Sequence, residues 1–329
     1  PPQSQAAPVL EPAQEPQARL RHTSRHWTAH GDLSVAPLQP QNREHSPVRF
    51  TRKGVTMALG RSLLLLKPRM RHVHAHLVTM PQSGTHWLCY MLALGLSRTF
   101  DVPGPAHIAD RRFVLRPQDR IIHPELPRLV HSHNIPHPLV HSPLFLDRLK
   151  YPRYVLLLRD LREAIVSQYE KKRQLPGFDI PFSDYLRERL PWGHPFRITV
   201  SRRFAFLNAW TRDIDRLGAE RLLLLRYEDF RQSPCDAFRR LWQFLDLPEL
   251  DAPAVEQIVA EASKDRMAEN ERPDAVARVV RQASRHAFDW YTPTDREYLT
   301  AKCHTGLCNW LGYNYDDWRQ LQTPRRHAA

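Results

Sequence analysis

The sequence predicts an α/β fold, a central and mostly parallel sheet flanked by helices, on three observations. Strand-like apolar runs alternate with segments of helical period, the order expected when each strand feeds a crossover helix. Two of the runs, Tyr154 to Leu158 and Leu222 to Arg226, are nearly uninterrupted apolar stretches, as parallel strands covered on both faces require. Between the run Val73 to Met80 and the helix-patterned run Leu88 to Leu96 lies the turn Pro81-Gln82-Ser83-Gly84-Thr85-His86-Trp87. A glycine-containing turn of this kind aims backbone N–H groups at an anion.

Residues 1 to 50 mix Pro, Gln, Ala, Arg and His without sustained periodicity, so they are expected to form a flexible, Pro-rich basic extension. Apolar residues return between Thr51 and Arg71, the expected entry to the domain. The best strands are Val73 to Met80, Arg128 to Ser132, Tyr154 to Leu158 and Leu222 to Arg226. Ser233, Pro234 and Asp236 read as N-cap, first-turn proline and acidic first turn of a helix with the apolar face Phe238, Leu241, Trp242 and Leu245. Thr292, Pro293 and Asp295 start another, expected to reach Leu311 and stop at Gly312. The chain shows no internal repeat. The ordered domain is placed at residues 72–315 and a short tail at 316–329.

Bulk composition narrows the function class less than the turn does. The 329 residues carry 48 Lys and Arg against 35 Asp and Glu, so anionic partners are favoured electrostatically. Nucleic acid, acidic lipid, a sulfated or phosphorylated metabolite and plain solubility are all compatible with that surplus. Within the first 70 residues there are ten Lys or Arg and four Asp or Glu, which supplies six of the thirteen excess charges; the bias is partly a property of the extension. Cys89, Cys235, Cys303 and Cys308 are too scattered for a disulfide framework, and a reducing, cytoplasmic setting is the simpler expectation. Cys303, His304 and Cys308 match no zinc spacing, and a helix through Leu311 would bury the cysteines as small apolar groups. No apolar run approaches the roughly 20 residues of a membrane-crossing helix, while a targeting or anchoring segment upstream of Pro1 stays possible.

The side chains of the turn narrow its anion. A Walker loop places Lys directly before its Ser or Thr, whereas here Gly84 precedes Thr85, which disfavours an ordinary ATP or GTP site. A second anion-directed feature follows the strand ending at Leu158: Arg159 emerges at a strand's carboxyl end, where open α/β sheets bind ligands, and Ser167 follows eight residues later. A guanidinium and a hydroxyl converging on one phosphate make chemical sense, and a structural ion pair for Arg159 is the competing reading. His72, His74 and His76 alternate along a strand and share one face, read as an exposed face in preference to a metal site.

Taken together, these segments resemble the sulfotransferase family that uses 3′-phosphoadenosine 5′-phosphosulfate (PAPS). Pro81 to Trp87 looks like the family's 5′-phosphosulfate loop, P-K-S-G-T-T-W, and Arg159 to Ser167 like its 3′-phosphate motif. Arg128-Leu129-Val130-His131-Ser132-His133 is similar to the segment ending K-T-H, whose histidine is the catalytic base. Tyr227-Glu228-Asp229 resembles the family's Y-E-D element near the adenine, and Ala262-Ser263-Lys264 with Met267 and Asn270 resembles T-S-F-x-x-M-x-x-N. These segments span residues 72 to 315, about three quarters of the chain.

The resemblance implies a three-layer P-loop-like fold and sulfonate transfer from PAPS to a hydroxyl or amine, with no metal. His133 would be the base, with His131 and His137 as nearby competitors. Gln82, Ser83, Gly84, Thr85, His86, Trp87, Arg159, Ser167, Tyr227 and Ser263 would hold the donor. The acceptor is left open among small molecules, carbohydrates, lipids and peptides, shaped by loops such as Leu175 to Phe196; nucleic acid is not expected and the oligomeric state is undetermined. The sequence departs from the family pattern at Gln82, which carries no charge where the family has Lys, at His86, and at the last nucleotide-binding segment, for which Arg281-Gln282-Ala283 and Arg285 are approximate candidates. Arg69, Arg71 and His131 are candidate replacement cations. These gaps keep two alternatives open: a catalytically weakened PAPS-, nucleotide- or polyanion-binding protein, and a phosphotransferase on a related fold, the latter disfavoured by the missing Walker lysine.

Overall fold

Five short apolar segments pair into one parallel sheet, and their side chains decide the layering. In the computed structural model, which describes residues 73–134, 152–189, 200–272, 278–280 and 285–319, the strands are β1 (Ala75–Thr79), β2 (Val114–Leu115), β3 (Leu129–Ser132), β4 (Arg153–Leu158) and β5 (Leu222–Arg226). All pairings are parallel, in the order β2-β3-β1-β4-β5. The expected mostly parallel sheet is therefore wholly parallel among the described residues. Because side chains alternate across a strand, Tyr154, Leu156 and Leu158 of β4 enter one core and Val155 and Leu157 enter the other. An apolar run without alternation thus buries both faces, and helices must cover each.

The helices divide accordingly. Helix α1 (Thr85–Thr99) follows β1, α2 (Leu161–Arg173) follows β4, and α3 (Phe182–Leu186) and α4 (Val200–Arg221) precede β5. Then come α5 (Tyr227–Gln232), α6 (Pro234–Phe244), α7 (Ala252–Glu261), α8 (Lys264–Glu269), a 3-10 turn (Ala287–Trp290) and α9 (Pro293–Gly306). Residues of α2, α3, α4 and α9 share one core; those of α1, α6 and α7 share the other. The result is three layers. On the second face α1 and α6 approach closely at Gly95, where an added Cβ would come within 2.6 Å of the Trp242 ring. Each fully buried Leu or Phe in these layers contributes about 1.5–3 kcal/mol of apolar transfer.

Several expected boundaries move. Helix α1 begins at Thr85, three residues before the first strongly apolar position, because its first turn is the anion-facing turn itself and is polar. Helix α9 has the expected Thr292 and Asp295 capping box, yet it ends at Gly306 and does not reach Leu311. Leu311 and Gly312 both have positive φ, 53° and 84°, so Gly312 shapes a later turn. The cysteines separate as a consequence, with Cys303 buried and Cys308 exposed. Ser233 precedes α6 without a side-chain cap. The two-residue β2 escaped the sequence reading because it is too short to show a period. His76 corrects the exposed-histidine expectation: it is buried in β1 and stacks on Tyr154 at 5.5 Å, since both faces of this sheet are covered. His74 lies just before β1 with its Nε2 2.5 Å from the Leu245 carbonyl. His72 falls outside the described residues. So do the expected extension (1–50) and domain entry (51–71).

Candidate functional site

The sheet order puts β1 between β3 and β4, strands formed later in the chain. The chain therefore leaves β1 in both directions, and the crevice at such a switch point is where open α/β sheets bind ligands. All three motif-bearing turns end there, from β1 (residues 80–84), β3 (His133) and β4 (Arg159).

The turn after β1 is built for an anion by its backbone. Gln82 and Gly84 both have left-handed φ, 69° and 94°, which curls the chain into α1. Gly84 is the N-cap, with no side-chain cap on the helix and no acidic residue in its first turn, so the N-terminal N–H groups face the crevice uncompeted. Any side chain at Gly84 would be strained by its φ and would meet the Tyr227 ring at 2.7 Å. The Ser83 hydroxyl, the Trp87 indole N–H and His86 Nδ1 are buried without a hydrogen-bond partner. Buried polar atoms of this kind are normally satisfied, and three of them in one turn fit a polar ligand held there. A phosphate or phosphosulfate group suits this set of donors.

Arg159, directly after β4, and Ser167, on α2, meet the same turn. The Arg159 guanidinium donates from Nε and Nη2 to Glu163 Oε2 at 2.9 and 2.7 Å and from Nη1 to the Gln82 carbonyl at 3.1 Å. It also lies 4.2 Å over the Tyr227 ring. Both readings of this arginine coexist: an ion pair fixes it, and of its five N–H groups two remain to donate. The Ser167 hydroxyl makes a long bond, 3.4 Å, to the Gln82 side-chain oxygen. Tyr227 packs edge-on to Trp87 at 5.6 Å, which joins the Y-E-D element to the turn. Its neighbour Glu228 supports the frame from beneath, accepting from the Asp160 N–H at 2.9 Å and from the Tyr313 hydroxyl at 3.0 Å. Burial pushes its carboxyl up to about 7.

His133 is held by β1. Its Nδ1–H donates to the Thr79 carbonyl at 2.7 Å, while the Thr79 hydroxyl sits 2.8 Å from the Thr85 hydroxyl. A ring whose Nδ1 carries the proton presents Nε2 as a lone-pair acceptor. His133 keeps a solvent-exposed edge, but crowding in the crevice lowers its pKa by desolvation, partly offset by the Thr79 bond; Arg116 and Arg202 lower it further. His131 stands edge-on to His133 at 5.5 Å, and burial, then His133 and Arg116, bring it down to about 3. It is neutral at pH 7 and cannot replace a missing lysine charge. His86 falls to about 4 through burial, then Lys171, His133 and Arg116.

The remaining sequence candidates are placed less centrally. Ser263 is the exposed N-cap residue of α8 and makes no side-chain cap; the same segment contributes Met267 to the core around Trp87 and Asn270 to the Tyr90 hydroxyl at 3.3 Å. Arg285 lies 3.4 Å over the Trp290 ring. Arg69, Arg71, His137, Arg281, Gln282 and Ala283 fall outside the described residues, as do positions 190–196 of the Leu175 to Phe196 loop. No group of His, Cys, Asp and Glu with metal-binding proximity occurs among the described residues. Sequence reasoning missed Thr79, Glu163, Arg116 and Lys171. Thr79 and Glu163 had local signals: a polar residue ending an apolar strand, and a carboxylate four residues after Arg159.

The fold and crevice thus define an α/β protein that gathers a backbone anion cradle, an arginine and a tautomer-fixed histidine at one sheet edge. The chain belongs to the sulfotransferase domain family, whose pattern matches residues 73–300. Solved structures with the same fold include mouse sulfotransferase SULT7A1 complexed with PAP, at 15% identity and a TM-score of 0.50 over 78% of this chain and 91% of that one. Retinol dehydratase in complex with androsterone and the inactive cofactor PAP matches at 15% identity and a TM-score of 0.56, over 77% and 85% of the two chains. No curated protein matches.

Proposed function

We propose that this chain transfers a sulfonate group from PAPS to a hydroxyl or amine acceptor. The observation that carries the reading is His133 fixed through Nδ1 to the Thr79 carbonyl, on the strand that leads into the anion cradle. PAPS supplies an activated sulfonate on a phosphate leaving group. The N–H groups from Gly84 to His86, with the Ser83 and Thr85 hydroxyls, hold the 5′ end, and helix α1 directs its positive end at the charge that grows on the departing phosphate. Arg159 and Ser167 hold the 3′-phosphate, while Trp87 and Tyr227 border the adenine. His133 Nε2 takes the acceptor proton as the acceptor's oxygen or nitrogen bonds to sulfur and the sulfur–phosphate oxygen bond breaks.

Binding of PAP by the structural neighbours supports the choice of donor, and the unpartnered Ser83, His86 and Trp87 atoms support where it binds. The absence of charge at Gln82 favours one second reading, a protein that binds PAPS and transfers slowly or not at all. Incubation with labelled PAPS and a panel of phenols, alcohols, sugars and amines distinguishes them. Labelled product that disappears in His133→Ala is expected; binding of PAPS without transfer to any acceptor would favour the second reading.

A further inference from the structure

The carboxylate that fixes Arg159 is shared with a second guanidinium. Glu163 is buried; its Oε2 accepts from Arg159 Nε and Nη2 at 2.9 and 2.7 Å, and its Oε1 accepts from Arg231 Nη1 at 3.2 Å. One negative charge therefore stands between two positive ones, and the trio keeps a net positive charge. Its members differ in what they can still offer a ligand. The Arg159 side chain is 10% exposed and is also engaged by the Gln82 carbonyl and the Tyr227 ring. The Arg231 side chain is 49% exposed. It uses one of its five N–H groups on Glu163 and has no other ion-pair partner among the described residues.

Helix spacing brings Arg231 to this place. It follows Tyr227 by four residues in α5, so the two side chains leave one face of the helix, the face that Tyr227 turns to Gly84 and Trp87. Asp229, two residues before Arg231, lies on a different face, and Glu228 is taken by the Asp160 N–H and the Tyr313 hydroxyl. A phosphate dianion is poorly served by Arg159 alone, which Glu163 already half neutralises. Arg285, the described candidate of the last nucleotide-binding segment, is laid on the Trp290 ring at 3.4 Å. Arg231 is the cation already joined to Arg159 through one carboxylate.

Resting on the reading of PAPS as donor, we propose that Arg231 is a further donor-binding residue, which holds the 3′-phosphate together with Arg159 and adds to selectivity for a 3′-phosphorylated adenosine nucleotide. Glu163 keeps the two guanidiniums side by side, and a phosphate on their remaining N–H groups gains charge-assisted hydrogen bonds from both.

The experiment titrates the full chain by calorimetry with PAP and with adenosine 5′-monophosphate, which lacks only the 3′-phosphate. The native chain is expected to bind PAP at least about a hundredfold more tightly, the scale of two charge-assisted contacts. In Arg231→Gln that ratio should fall about tenfold through weaker PAP binding, with the affinity for the monophosphate unchanged. Arg231→Lys should recover part of the loss. Tm should move little in either variant, because an ion pair open to water adds little to folding.

An unchanged ratio in Arg231→Gln, or equal weakening of both nucleotides, would overturn the proposal and leave Arg231 as a structural partner of Glu163. The donor reading fails separately, in the native chain: equal binding of the two nucleotides there would remove PAPS as donor, and this proposal with it.

Discussion

The two ends of the crevice are built from different materials. At the proposed donor end, the turn from Met80 to Gly84 contributes mainly backbone and the buried Ser83 hydroxyl, and Arg159 beside it is half spent on Glu163. At the proposed acceptor end the groups are side chains, His131, His133 and Arg116, contributed by β3 with the residue after it and by the residue after β2. A backbone cradle holds a fixed group, a phosphate, whose geometry does not vary. A side-chain pocket can be refitted to a new acceptor without disturbing the sheet. On the proposed reading, the donor belongs to the fold and the acceptor to this particular sequence.

Removing the base tests the junction between the ends and should have the largest effect. His133→Ala is expected to lower sulfonate transfer by roughly 10²–10⁴-fold while leaving PAP affinity nearly unchanged; His131→Ala should do far less. The pH profile carries the sign: His133 must be unprotonated, and its pKa is lowered, so the acid limb of kcat/KM should fall below the ordinary 6.5. Near-native transfer by His133→Ala, with loss in His131→Ala, would reassign the base.

At the donor end, Arg159→Ala should weaken PAP binding roughly 10–100-fold, the scale of one or two charge-assisted hydrogen bonds. It also strands the Glu163 carboxylate, for which Arg231 at 3.2 Å is the other partner. Tm must therefore be read beside affinity, and Arg159→Lys should recover stability more than PAP affinity, because lysine cannot reproduce the forked geometry. Recovery of both would reduce Arg159 to its ion pair.

Beneath the donor end, Glu228 gives a smaller effect confined to stability. Its folded pKa of about 7 lies above the ordinary 4.5, so between those values the folded chain binds more protons than the unfolded one, and stability should decline as pH rises through that window. The decline attributable to this group is up to about 3 kcal/mol. Denaturant titrations at pH 5 and pH 8 should show it in the native sequence and a flatter profile in Glu228→Gln, which can still accept from the Asp160 N–H. An unchanged slope in the variant would remove Glu228 as its source.

What the sequence made legible follows the same division. Apolar runs such as Tyr154 to Leu158 announced a doubly covered parallel sheet because burial on both faces erases alternation. The turn from Pro81 to Trp87 was legible because glycine and hydroxyl residues are needed at adjacent positions to curl backbone around an anion. Arg116 and Lys171 were not, because only the β2–β3 register sets Arg116 beside His131 and only the helical spacing of α2 sets Lys171 one turn from Ser167. Thr79 left only the weak signal of a polar residue ending an apolar strand, because the shorter of its two contacts with His133 runs through its carbonyl at 2.7 Å, the other through its hydroxyl at 3.0 Å, and any residue has a carbonyl. The end of α9 at Gly306 was misread because Gly312 offered an equally good stop signal, and packing against Phe204, within 2.5 Å of a Cβ at Gly306, was invisible.

The most direct test of the donor cradle is calorimetric titration of the intact chain with PAP and with adenosine, which lacks both phosphates. Binding of PAP at least about a hundredfold tighter than adenosine is expected, as two phosphates held by charge-assisted bonds require. Indistinguishable binding of the two, in protein shown to be folded, would contradict it.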